Sequence, residues 1–114
     1  MPNFSVGIIQ GYHAHVYFDA ESTDAARKLR AEIEGKFDVD MGRFHEKLVG
    51  PHPRWSYQLA FRPNQFGEIV PWLTLNRKGL TIFIHICSGD HLMDHTDYVC
   101  WLGESVPLNL EVFD

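Results

Sequence analysis

A chain of 114 residues has the length of one domain, and with 45% hydrophobic and 13% aromatic residues it can bury a core of its own. Charged residues are an ordinary 22%, no low-complexity run appears, and a formal charge of −5 without a Lys/Arg cluster argues against a nucleic-acid partner. No apolar run is long enough to span a bilayer, and the start MPNFSVGIIQ lacks a basic region before an apolar stretch, so residues 1–114 read as a single cytoplasmic domain with no membrane partner.

GYHAHVYF at 11–18 is the first predicted strand. Because successive strand residues point to opposite faces, His13, His15 and Tyr17 share one face, while Tyr12, Ala14, Val16 and Phe18 give the other the pattern of a core. Ser22 or Thr23 then caps a helix of about twelve residues ended by Gly35, with Ala25, Ala26, Leu29 and Ile33 inward and its charges outward. Alternation of Phe37, Val39 and Met41 with Asp38 and Asp40 predicts a second strand running, with a bulge at Gly42, to about Leu48. GPHP at 50–53 is a stiff turn, since Pro51 and Pro53 both fix φ. Trp55, Tyr57, Leu59 and Phe61 mark a third strand, and Pro63-Asn64 opens a helical segment that Pro71 either kinks or starts in its main portion and that Lys78-Gly79 closes. In the fourth strand, 80–87, Leu80, Ile82, Ile84 and Ile86 face the core, and Thr81, Phe83, His85 and Cys87 face away. Ser88-Gly89-Asp90 is expected to cap a third helix reaching about Leu102, where Leu92, His95, Val99 and Leu102 form one stripe. The tail VPLNLEVFD alternates like a short extra strand, and the two cysteines, too few for a disulfide framework, read as buried free thiols.

The order βαββαβ plus a helix is that of a ferredoxin-like α+β sandwich with sheet order 4-1-3-2. Strands one and four are then neighbours, and His13, His15 and His85 converge on the sheet face that the helices leave uncovered. An open, partly apolar face is expected to pair with a second copy, closing a dimeric α/β barrel as a homodimer.

Seven histidines are the unusual count. Neutral imidazoles on neighbouring strands can hold a transition metal, so His13, His15 and His85 are the candidate ligands, against the plain alternative of a hydrogen-bonded polar face. His52, fixed between two prolines, suits an acid/base or a fourth ligand, and His95, turned inward, suits a partner that orients a ligand, or an acid/base. His45 and His91 read as surface residues. Tyr17, Phe83 and Trp55 are candidates for stacking on an aromatic substrate, and Arg54 for gripping a substrate carboxylate with its planar fork.

YHAHVYF at 12–18, GPHP at 50–53, VPWLTLNRKGLTIFIH at 70–85 and SGDHLMDHTDYVCWLG at 88–103 together resemble the DOPA 4,5-dioxygenase family. The resemblance covers nearly the whole chain. It implies a non-haem Fe(II) enzyme that opens a catechol such as L-DOPA beside its two hydroxyls, using dioxygen, with zinc or another divalent ion able to replace the iron. Motif positions carry over to His13, His15, His52, His85 and His95. Many Fe(II) oxygenases use two histidines and a carboxylate. Here the histidine face carries no acid, so the third ligand is a histidine unless Asp90 or Asp94 reaches in. Two other readings compete: a cofactor-independent oxygenase or small-ligand-binding dimeric barrel, and a zinc-dependent hydrolase.

Overall fold

The computed structural model describes residues 5–113. Five antiparallel strands, β1 (Gly11–Phe18), β2 (Asp40–Met41), β3 (Trp55–Phe61), β4 (Thr81–Cys87) and β5 (Val99–Leu102), form one sheet in the order β2-β3-β1-β4-β5. The central β1 runs between β3 and β4 with His13 opposite both Ala60 and His85, and His15 opposite Gln58 and Phe83. Helices α1 (Thr23–Lys36) and α2 (Phe66–Asn76) cover the face of Ala14, Val16, Leu59, Ile82 and Ile84. Ala26, Leu29 and Ile33 of α1 and Ile69, Val70 and Leu73 of α2 join those residues in one buried cluster. No helix among the described residues is long and apolar enough to cross a membrane.

Leu29 is fully enclosed at the centre of that cluster. Leu29→Ala removes its transfer energy and leaves a cavity, so stability should fall by about 2–5 kcal/mol in urea denaturation. A loss below about 1 kcal/mol would mean that α1 is not anchored there.

Several expectations are corrected. Gly35 does not end α1, which runs to Lys36 and stops at Phe37, an extended residue whose N–H still bonds the Ile33 carbonyl. The second strand shrinks to Asp40–Met41 plus one bridge between His45 and Ser56, because the chain turns away over residues 46–54. Gly50, at φ 55°, provides the left-handed residue for that turn. The third helix is a single turn, α3 (His91–Asp94), and residues 99–102 form β5 instead. The edge of β4 needs hydrogen-bond partners, and the Val-Cys-Trp-Leu run supplies them. Leu92 is consequently exposed and not part of an inward stripe. The tail forms a 3-10 turn at Leu110–Phe113 and no strand. Cys87 and Cys100 are free, but Cys87 is half-buried and Cys100 exposed.

The largest correction concerns the histidine face. It is not open: Phe83 is fully buried, and His15 and His85 are 5% and 4% exposed. The 42–54 segment, α3 with His95, and the C-terminal turn through Phe113 close over it, the tail tied down by Asn109 N–H donating to the Pro51 carbonyl at 2.8 Å. The apolar surface that motivated dimer formation is therefore covered within one chain.

A candidate metal centre of buried histidines

Strand alternation places His13, His15 and His85 on one face, and the covering segments add His52 and His95. The His52 ring lies 4.1 Å from that of His15, and the His95 ring 4.2 Å from that of His85 (centroid separations). His15 Nε2 stands 3.0 Å from His85 Nε2. One donor atom from each of His15, His85 and His95 falls within 4.8 Å of the others, and a second group, His13, His85 and Cys87, meets the same limit.

Two of these rings have their tautomers set by the backbone. His85 Nδ1–H donates to the Ile86 carbonyl at 2.8 Å, and His95 Nδ1–H to the His91 carbonyl at 2.7 Å. Each Nε2 thus keeps its lone pair, the arrangement that orients a ligating imidazole. His15 must then donate from Nε2 to His85 while no ion is bound, and would exchange that proton to Nδ1 on ligating through Nε2.

Burial, reinforced by the neighbouring imidazoles, disfavours the charged forms. It lowers His15 well below the usual histidine range, lowers His52 and His85 to about 4, and lowers His13 and His95 as well. All five rings are neutral at pH 7 and available as donors to a cation. The donor set therefore suits a borderline divalent transition ion such as Fe(II) or Zn(II).

These shifts have a sign for stability. The unfolded chain titrates its histidines near 6.5, above the folded values near 4 for His52 and His85. Stability is complete above pH 6.5 and is lost as pH falls from there to about 4, because the unfolded state takes protons first. The slope is roughly 1.4 kcal/mol per pH unit for each group still neutral in the fold. The urea midpoint of chelator-treated protein should drop clearly between pH 7 and pH 5. An unchanged midpoint would mean that the rings are not buried neutral.

Of the remaining sequence-predicted residues, Tyr17 and Phe83 join the cluster, while Trp55 and Arg54 lie away from it. Tyr17 is buried, its hydroxyl 2.7 Å from His52 Nδ1, and burial raises its pKa, so it stays neutral and hydrogen-bonds the ring. Phe83 lies under the rings of His15, His85, His95 and Trp101. Trp55 is on the other face, packed on Phe18 in the core, and is removed from the site. Arg54 pairs with Glu104 at 3.1 Å and lines a separate cavity of about 570 Å³ with Arg77 and Lys78. Asp90 caps α3 through the Met93 N–H. Asp94 is buried beside the cluster, but its carboxylate accepts from the Ser88 N–H at 2.9 Å and the Ser88 hydroxyl at 2.6 Å. A cavity of about 180 Å³ opens against His15 and His52, bounded by Ser56, Gln58 and Val49, with Arg43 and His45 at its rim.

Sequence reasoning missed Cys87 as a donor, although its i,i+2 spacing from His85 on one strand was the signal. It also missed Phe113, whose ring lies tilted 4.6 Å from that of His95, for which the sequence carries no local signal.

A family description, "Dopa 4,5-dioxygenase family", matches residues 12–112. A protein from Amanita muscaria named DOPA 4,5-dioxygenase is 33% identical over 90% of this chain and 49% of its own length. An uncharacterized 21.2 kDa protein from Botryotinia fuckeliana is also 33% identical, over 93% of this chain and 64% of its own. This chain thus spans about half to two-thirds of those curated relatives. The crystal structure of a candidate dioxygenase from Nostoc punctiforme superposes with a TM-score of 0.95 at 48% identity, covering 97% of this chain and 96% of that one.

Proposed function

The chain belongs to the Dopa 4,5-dioxygenase family, and from that premise we propose that it is an extradiol dioxygenase that binds Fe(II) through His15, His85 and His95 and opens a catechol ring with dioxygen. The observation that carries this reading is the trio of neutral imidazoles, His15 and His85 buried and His95 half-buried, two with Nε2 bared by a backbone hydrogen bond. His15 and His85 belong to the ligand set expected from strand alternation. For the third position we favour His95 over His13, since His95 joins His15 and His85 in a single group. Bound there, Fe(II) would supply Lewis acidity and open positions for a catecholate and dioxygen.

The chain's own residues do the rest. The cavity against His15 and His52 can take a single substituted ring. His52, held by Tyr17, lines it as the acid/base. In the tautomer whose Nδ1–H donates to the Tyr17 oxygen, Nε2 can accept a catechol proton and return it as the ring opens. Phe83 supports the rings from beneath, in place of the substrate stacking first expected. Both atoms of dioxygen enter the product, as a carboxylate and an aldehyde or ketone, so no external reductant is required. Strand order and the one-sided placement of α1 and α2 support a ferredoxin-like reading of the fold.

The test is anaerobic loading with Fe(II), then exposure to air with a panel of catechols while absorbance is scanned. Strongly coloured ring-opened semialdehydes are expected from at least one catechol. Iron-loaded protein that colours none of them would refute the dioxygenase reading, and zinc-dependent, oxygen-independent hydrolysis would replace it.

A further inference from the structure

His13 is not part of the His15–His85–His95 trio, yet it is half-buried on the same face with its ring 5.1 Å from that of His85. Cys87 follows His85 by two residues on β4 and faces the same way. One donor atom from each of His13, His85 and Cys87 lies within 4.8 Å of the others, close enough for small side-chain rotations to bring them onto one ion. The buried Asp94 carboxylate is held at the end of β4 by Ser88, the residue that follows Cys87. Its oxygens take hydrogen bonds from Ser88, and no lysine or arginine pairs with it among the described residues. A buried anion of that kind is stabilised by a nearby cation.

We propose that His13, His85 and Cys87 form a second, softer metal site that takes thiophilic divalent ions of the zinc class and competes for His85 with the histidine trio. A thiolate favours zinc over iron relative to an all-imidazole set, so the donors themselves divide the two ions between the two positions. Binding converts the Cys87 thiol to a thiolate, its proton passing to solvent. Because His85 serves both groups, a zinc-class ion held by Cys87 dismantles the trio without occupying it. The competition half of this inference rests on the histidine trio proposed above. The Cys87 site itself does not.

Anaerobic titration of the metal-free full chain with Co(II) separates the two. Exposed Cys100 is first replaced by serine, leaving Cys87 as the only thiol. Cys100→Ser protein should develop the near-ultraviolet sulfur-to-cobalt band and saturate at one ion per chain. Adding Cys87→Ser should abolish the band, keep a histidine-bound cobalt spectrum, and weaken Zn(II) binding roughly tenfold or more. His13→Ala in the Cys100→Ser background should weaken the band's midpoint by a similar factor. Cobalt bound without the band in Cys100→Ser protein overturns the Cys87 site and leaves the trio standing. The band with no metal retained after Cys87→Ser supports the Cys87 site and removes the trio. Two ions per chain, one of them thiolate-bound, overturns the competition.

Discussion

His85→Ala is expected to empty the protein of bound iron while leaving it folded. His85 is the ring that both donor groups share, and its Nδ1–H to Ile86 fixes the direction of Nε2. His15 Nε2 stands 3.0 Å from His85 Nε2. Loss of one of three ligands should weaken Fe(II) binding by at least about 100-fold, more than loss of an orienting partner, which costs about 10–100-fold. The core is on the other face, so circular dichroism should be unchanged. His95→Phe keeps the bulk of the ring and removes its nitrogens, and should also lose iron. His13→Ala should retain it. Full iron occupancy in His85→Ala protein would remove the trio. Iron lost on replacing His13 and kept on replacing His95 would restore the set of His13, His15 and His85.

His52→Gln should have the largest effect on turnover among variants that keep their metal. The ring is buried, neutral, and held by the Tyr17 hydroxyl at 2.7 Å, against the cavity of about 180 Å³ that it lines with His15. Glutamine can keep the hydrogen bond to Tyr17 but cannot take or return a proton near neutral pH. Removing a positioned acid/base costs about 10²–10⁴-fold, and kcat should fall within that range with iron content intact. Tyr17→Phe should give a smaller fall, since the imidazole remains but loses its partner. Iron loss in His52→Gln would make His52 a ligand, and an unchanged kcat would leave it a packing residue.

Much of this centre was legible in the chain itself. Period-two alternation in GYHAHVYF and TIFIHIC is dictated by strand geometry, so the shared face of His13, His15, Tyr17, Phe83, His85 and Cys87 follows from residue order alone. The βαββαβ order likewise made β1 and β4 neighbours. Register was not legible. Only the pairing of His13 with His85 and of His15 with Phe83 decides which imidazoles meet, and no local preference encodes it. Residues 91–102 misled for a related reason. The spacing of Leu92, His95, Val99 and Leu102 fits a helical stripe by coincidence, and the unpaired edge of β4 draws the last four residues into β5. The covering of the histidine face was least visible of all. It depends on the 42–54 segment and the tail meeting through Asn109 and Pro51, a contact between residues far apart in sequence. That covering converts exposed polar rings into buried neutral ones, because only the assembled tertiary structure removes the water that would let them charge.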